Sequence, residues 1–305
     1  MDELGYYNII IMNICQAIEY TFFKVLGEFF MDKYLLERQV MFSKNIEGCR
    51  EVIFDLRYVD ITAYTGLAES TMISYDTKSV SPYITVAKKI ADMYCTDIER
   101  LCGDEIYFDI EEVLSLQVAF INRLGEIDIK PYKEKILAEI DKYLSLSKYE
   151  VYQLLSQTFR EIISDLHHSG KYVKIETDKS IIENFIKNFH DLHSFSKINY
   201  RKLGKAIDMS IGNLTRLAQG NEPMLSAVIK LADFFGVTIT QMLSDNPNFD
   251  YEKIQKEIED KTSIANLPPV ISDKKIKKDR KLRIELLDKN QVKKLIGKLF
   301  NKIVL

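Results

Sequence analysis

The chain has 305 residues, enough for two or three domains of ordinary size. With 46% apolar and 29% charged residues it has the composition of a folded protein, which argues against wholesale disorder, and its 12 Gly and 6 Pro favour helix over sheet. The net charge of −3 conceals an asymmetry: residues 273–305 hold 12 Lys/Arg against 4 Asp/Glu, a net of +8, which leaves −11 on the rest. A basic end on an acidic body points to a polyanionic partner without identifying it.

Residues 1–45 read as amphipathic helices. Ile10, Ile14, Ile18, Phe22 and Leu26 recur at about one-turn spacing, widened by Phe23, Phe29 and Phe30, as a core or oligomer face would. The start lacks the basic flank of a signal peptide. The uncharged run Gly5–Ile18, broken by Asn8, Asn13 and Gln16, is too short and polar to span a bilayer. No membrane association and a cytoplasmic location are therefore expected. Cys15, Cys49, Cys95 and Cys102 form no CxxC pair and suit free thiols in a reducing compartment.

Residues 46–102 are expected to form a first compact unit. Arg57–Tyr64 makes a helix with Ile61 inward, Thr65-Gly66-Leu67 a turn, and Ala68–Tyr75 a second helix with Met72 and Tyr75 inward. Pro82 follows, then helices over Ile84–Tyr94 and Ile98–Leu101. Residues 103–176 read as a helical linker or dimerisation region with heptad-like spacing at Ile136, Ile140 and Tyr143, and at Val151, Leu154, Leu155, Phe159 and Ile162. Gly170 ends that region, and Tyr172–Thr177 is an extended connection.

Residues 177–248 carry the clearest pattern. Tyr200–Ile207 is a short helix with Leu203 and Ile207 inward. Asp208-Met209-Ser210 is a tight turn whose serine can cap the next helix, in which Leu214 and Leu217 point inward. Gly220 suits a left-handed helix end, Pro223 blocks continuation, Leu225–Phe235 is a helix stopped by Gly236, and Val237-Thr238 starts a last turn. Two short helices joined by such a turn make a helix-turn-helix, whose second helix can enter a major groove about 12 Å wide. Residues 249–305 form a linker with Pro268-Pro269 and a basic C-terminal helix. That helix is expected to align Ile284, Leu287, Val292, Leu295, Leu299 and Ile303. The run DKKIKKDRKLR ahead of that helix reads either as a solubilising or disordered stretch or as an auxiliary phosphate-binding arm.

The second unit resembles the lambda-repressor/Cro (XRE-like) family. The resemblance lies in Leu203-Gly204, Met209-Ser210, Leu214, Leu217, Gly220, Pro223 and the ending LADFFGVTITQML, about 65 residues in all. It implies an all-α chain with two lambda-repressor-like helix-turn-helix bundles joined by a helical linker. It also implies a sequence-specific regulator, a repressor of a prokaryotic or phage/mobile-element operator, binding double-stranded DNA as a homodimer. By that resemblance, bases are read from Ser210, Ile211, Gly212 and Asn213, with Thr215 and Arg216 nearby. Phosphate contacts fall near Tyr200, Arg201 and Lys202 and at Gln219 and Asn221. Ile211 and Gly212 depart from the family's polar residues, so hydrogen-bonded readout rests on Asn213 for adenine and Arg216 for guanine or phosphate.

The first unit reads as a weaker internal copy. Gly66-Leu67 aligns with Asp208-Met209 and Pro82 with Pro223, some 140 residues apart. Its candidate contacts are Glu69, Ser70, Thr71, Ser74 and Lys78. Asp60, Glu69 and Asp76 outnumber Lys78 there, so an alternative is a protein-interaction module. That module would use the helix-turn-helix scaffold to hold a partner regulator or phage protein, with Glu69 and Asp76 at the contact. His190 and His193 are three apart, but no third ligand accompanies them. No phosphate-loop, dinucleotide, HExxH or GxSxG motif occurs. No metal, no cofactor and no enzyme activity is expected.

Overall fold

The computed structural model describes residues 37–77, 80–106, 109–124, 128–143, 146–170, 173–264 and 286–303. The apolar stripe from Ile10 to Phe30, Cys15, Lys78, Ile284 and the run DKKIKKDRKLR lie outside the described residues. The fold is all-α. Among the described residues the exception is a two-residue antiparallel pairing of β1 (Leu146–Ser147) with β2 (Leu286–Leu287).

Two compact units divide the chain. Of the described residues, the larger takes in those from 39 to 179 and from 286 to 303, the smaller those from 180 to 264 together with 37 and 38. These bounds differ from those expected. The boundary at 45/46 falls inside helix α1 (residues 37–48), whose buried Asn45 donates to the Leu101 carbonyl (2.9 Å) and accepts from the Ile106 N–H (3.0 Å). A π-turn (Cys49–Ile53) ends that helix, and α2 (Tyr58–Thr65), α3 (Glu69–Thr77), α4 (Ile84–Met93) and α5 (Ile98–Leu101) follow.

The stretch read as a linker is half of this unit's core. It supplies α6 (Ile110–Leu124), α7 (Lys130–Ile140) and α8 (Lys148–His168). Gln117, fully buried on α6, donates to the Ile53 carbonyl (2.6 Å) and to the Ser156 hydroxyl (3.0 Å), tying the π-turn to α8. Phe120 packs on Phe54 and Tyr64 at centroid distances of 4.6 and 5.6 Å. Ile136, Ile140, Val151, Leu155, Phe159 and Ile162 are buried here rather than free for a partner, each large side chain contributing about 1.5–3 kcal/mol. Tyr143, expected with them, is exposed. The extended connection is also anchored, since the Ile175 N–H donates to the Tyr64 carbonyl (2.8 Å).

The C-terminal helix, here α15 (Lys289–Phe300), is capped by Asp288 and closes the unit. It buries Val292, Ile296, Phe300 and Ile303, with Phe300 against Phe159 at 5.5 Å. Leu295 and Leu299, expected on the inner face, are half-buried at its flank. The buried stripe runs through Val292, Ile296 and Phe300 at four-residue steps, so Ile296 and Phe300 take the inner places expected of Leu295 and Leu299.

In the smaller unit α9 (Ser180–Ser196), α10 (Tyr200–Ala206), α11 (Ile211–Ala218), α12 (Leu225–Phe235), α13 (Ile239–Leu243) and α14 (Tyr251–Ile264) share a core. Buried Asn188 on α9 donates to the carbonyls of Gln241, Met242 and Ser244, fixing α13. The unit extends past the expected end at 248, because α14 buries Ile254 and Ile258 and its Lys261 caps the Asp233 and Phe234 carbonyls.

Burial of charge also holds the larger unit. Asp76, 5% exposed, accepts from Arg50 Nε (2.8 Å) and from the Tyr58 hydroxyl (2.7 Å), while the Arg50 guanidinium lies 4.2 Å over the Tyr58 ring. These contacts join the π-turn, α2 and the end of α3. Burial and the hydrogen bond to Asp76 push the Tyr58 phenol up to about 12. Removing one partner of such a pair strands the other. Asp76→Ala is therefore expected to cost about 3–5 kcal/mol, measured by denaturant unfolding, whereas Glu69→Ala on the same helix should be near neutral.

Candidate nucleic-acid interface

Local rules place the second helix-turn-helix. Asn199 caps α10 by accepting from the Lys202 N–H (2.9 Å), and Ser210 caps α11 by accepting from the Asn213 N–H (3.2 Å). Between them Asp208 has φ +46°, and the Met209 N–H returns to the Gly204 carbonyl (2.8 Å). The close approach explains the glycine: a Cβ at Gly204 would lie 2.4 Å from the Met209 carbonyl oxygen. Leu203, Ile207 and Leu214 are fully buried and Leu217 nearly so, which turns the opposite face of α11 outward.

That face carries most of the residues singled out from the sequence. Ser210, Ile211, Gly212, Asn213, Arg216 and Gln219 are exposed, as is Asn221 beyond the helix. Ile211 is 46% exposed, and the space beside Gly212 is open. Arg216 Nη2 donates to Asn213 Oδ1 (2.6 Å), so the two polar side chains form one hydrogen-bonded pair. Thr215 is half-buried, and its hydroxyl donates to the Ile211 carbonyl (2.9 Å), which turns it back onto its own helix. Arg201, Lys202, Lys205 and Lys197 are exposed around α10. The Asp208 carboxylate in this stretch lies 3.7 Å from Lys230 Nζ.

Tyr200 stands half-buried at the start of α10, its ring 4.4 Å from that of His193, and burial raises its pKa. His193 is held below its ordinary value by burial. His190 Nε2 lies 3.0 Å from the Ala218 carbonyl oxygen at the end of α11. Both histidines thus serve the packing of α9 against this motif.

The larger unit repeats the arrangement. Gly66, with φ +69°, sits in the α2–α3 turn where Asp208 sits in the other. Lys89 Nζ donates to the Thr65 carbonyl (2.8 Å), and Lys230 Nζ donates to the Asp208 carbonyl (3.0 Å). Each lysine follows its proline, Pro82 or Pro223, by seven residues. These two turn-locking lysines were not singled out from the sequence, although that shared spacing could have revealed them.

The two second helices differ in quality. Ala68 precedes α3 where Ser210 precedes α11, so α3 lacks a hydroxyl cap. Glu69 and Ser70 are exposed, but Thr71 and Ser74 are half-buried, and the Ser74 hydroxyl donates to the Ser70 carbonyl (2.9 Å). Tyr75, expected inward, is only half-buried, because Asp76 takes the inner position of the last turn.

The acidic surface expected here is also corrected. Asp76 and Asp60 are each 5% exposed, so neither is available to a protein partner. Asp60 accepts from the Arg57 side chain (2.9 and 3.1 Å) and backbone N–H (2.8 Å) and faces His167 Nε2 at 2.8 Å. Burial works to raise its pKa, but the bonds from Arg57 and the His167 charge outweigh it and hold the carboxyl below its ordinary value. Of the three acids counted from the sequence, Glu69 alone stands at the surface.

No protein-family model matches the chain, and no curated protein or solved structure matches it either. The likeness to the lambda-repressor/Cro family therefore stands on the motif residues alone. Among the described residues no helix is long and apolar enough to cross a membrane.

Gly204→Ala should force the turn open, because the added carbon meets backbone rather than a movable side-chain end. A loss of about 1–3 kcal/mol is expected in equilibrium unfolding of the chain. Ser210→Ala removes the α11 cap and should cost about 1 kcal/mol, and Ala68→Ser should recover a similar amount at α3.

Proposed function

We propose that the chain is a sequence-specific DNA-binding transcriptional regulator, acting as a repressor at a prokaryotic or phage/mobile-element operator and carrying no catalytic site. The observation that carries this reading is the outward face of α11, presented by a buried leucine pair and bordered by unburied cations. Lys197, Arg201, Lys202 and Lys205 supply phosphate contacts, whose strength falls with salt. Tyr200, Gln219 and Asn221 fix the register. In the groove, Asn213 pairs with an adenine edge and Arg216 with guanine, the apolar Ile211 meets a thymine methyl, and Gly212 lets backbone approach.

Their mutual hydrogen bond holds Asn213 and Arg216 in a fixed relative pose before DNA arrives, which lowers the entropy cost of readout. In α3 the reading capacity reduces to Glu69, accepting from a cytosine amine, and Ser70. Specificity from two reading helices requires them about 34 Å apart on one face of the duplex, to be supplied either by a homodimer or by the two helix-turn-helix units of one chain on two half-sites.

Selection of bound duplexes in vitro, together with genome-wide mapping of bound sites, tests the reading. Asn213→Ala and Arg216→Ala should each weaken the selected site by about 1–3 kcal/mol and relax the base preference at one position. Absence of duplex affinity even at low salt would sink it.

A further inference from the structure

We infer that the outer face of α15 is a second surface for the phosphate backbone of duplex DNA. The inference rests on the reading of α11 as a DNA-contacting helix and extends it to the larger unit. Since Val292, Ile296 and Phe300 are buried, the opposite side of α15 faces solvent. Lys294 and Lys298 recur there at a four-residue step and so share that side, and Lys302 follows in the turn just past the helix end. All three are exposed.

Their lack of ion pairs separates them from their neighbours. Lys293 and Lys289 reach Asp141 on the α7 side, at 2.9 and 4.0 Å. Lys294, Lys298 and Lys302 have no carboxylate partner among the described residues, and the sequence from 289 to 303 contains no acid at all. Asn122, at the end of α6, donates to the Lys302 carbonyl (3.1 Å), and the exposed Arg123 beside it adds a cation at that end.

Lys294 and Lys298 lie about 6 Å apart along the helix at 1.5 Å per residue, and the turn carries Lys302 roughly as far again, about 12 Å in all. Over that length one DNA strand presents roughly three to four phosphates. Readout of bases is not offered, because lysines on a rigidly packed helix provide point charges without bidentate geometry. An anionic membrane fits less well. A helix that lies in a membrane interface inserts its apolar face, and the core already uses that face of α15.

The test is fluorescence anisotropy with the full chain and a mixed-sequence duplex, from about 50 to 200 mM salt. Lys294→Gln/Lys298→Gln/Lys302→Gln should flatten the slope of log affinity against log salt by about 2–3, and the matching triple arginine variant should keep it steep. Circular dichroism and thermal unfolding should be unchanged, since the buried side of the helix is untouched. Asn213→Ala/Arg216→Ala is the companion variant. It should abolish preference for a selected site while keeping most of the slope on mixed sequence.

An unchanged slope in the glutamine triple, with wild-type binding intact and the companion variant still losing site preference, overturns this inference and leaves the α11 reading standing. Failure of the wild-type chain to bind any duplex overturns both. Binding to phosphatidylserine vesicles that the glutamine triple abolishes, with no change in the DNA slope, assigns the face to lipid and overturns the inference as well.

Discussion

The candidate interface depends on burial of four aliphatic side chains beneath two helices too short to stand alone. At seven and eight residues, α10 and α11 lie well below the length at which an isolated helix persists in water. Leu203, Ile207, Leu214 and Leu217 hold them to the rest of the smaller unit, and the same burial decides which face of α11 remains outside. The contact of Gly204 with the Met209 carbonyl sets how near the helices approach. The lysine from α12 then satisfies the turn carbonyl that this approach leaves outside any helix. Exposure of Asn213 and Arg216 is thus a consequence of packing on the far side of the same helix.

The same construction recurs in the larger unit with a different electrostatic partition. There, carboxylates that a linear count places on the surface are drawn inside and paired. Asp76 joins Arg50 and Tyr58, and Asp60 joins Arg57 and His167. A buried carboxylate needs a partner with good geometry; Asp76 draws the Arg50 guanidinium in with it, whereas Arg57 reaches Asp60 from the surface. The exposed charge of α3 is consequently milder than its sequence suggests. Its readout remains poor for another reason, since two of its four described candidate side chains are half-buried or bonded to their own backbone.

Helices read as linker or association surface are instead structural members. The apolar faces of α7, α8 and α15 meet one another and α6, leaving their polar faces outside. On α15 this segregation concentrates lysines on one side. Amphipathic helices that have spent their apolar side on the core present whatever their polar side contains. Here that is lysine, of which Lys289 and Lys293 meet Asp141 while Lys294 and Lys298 have no carboxylate partner among the described residues.

The limits of helices in the smaller unit follow from short-range chemistry that can be read along the chain. Ser210 and Thr238 start helices because a hydroxyl satisfies an early N–H, and Leu225–Phe235 ends at Gly236 as its spacing implied. The inward choice of Leu203, Ile207, Leu214 and Leu217 follows from helical periodicity in the same way. Tertiary structure decided what depends on residues distant in the chain. The capture of Asp60 by His167, the bond from Gln117 to Ile53, the choice of Ile296 and Phe300 as inner residues of α15 and the Lys230 clamp on the turn are of that kind. Periodicity reveals that a side is apolar but not what covers it, and a charge count reveals sign but not depth, because both depend on which distant helix arrives.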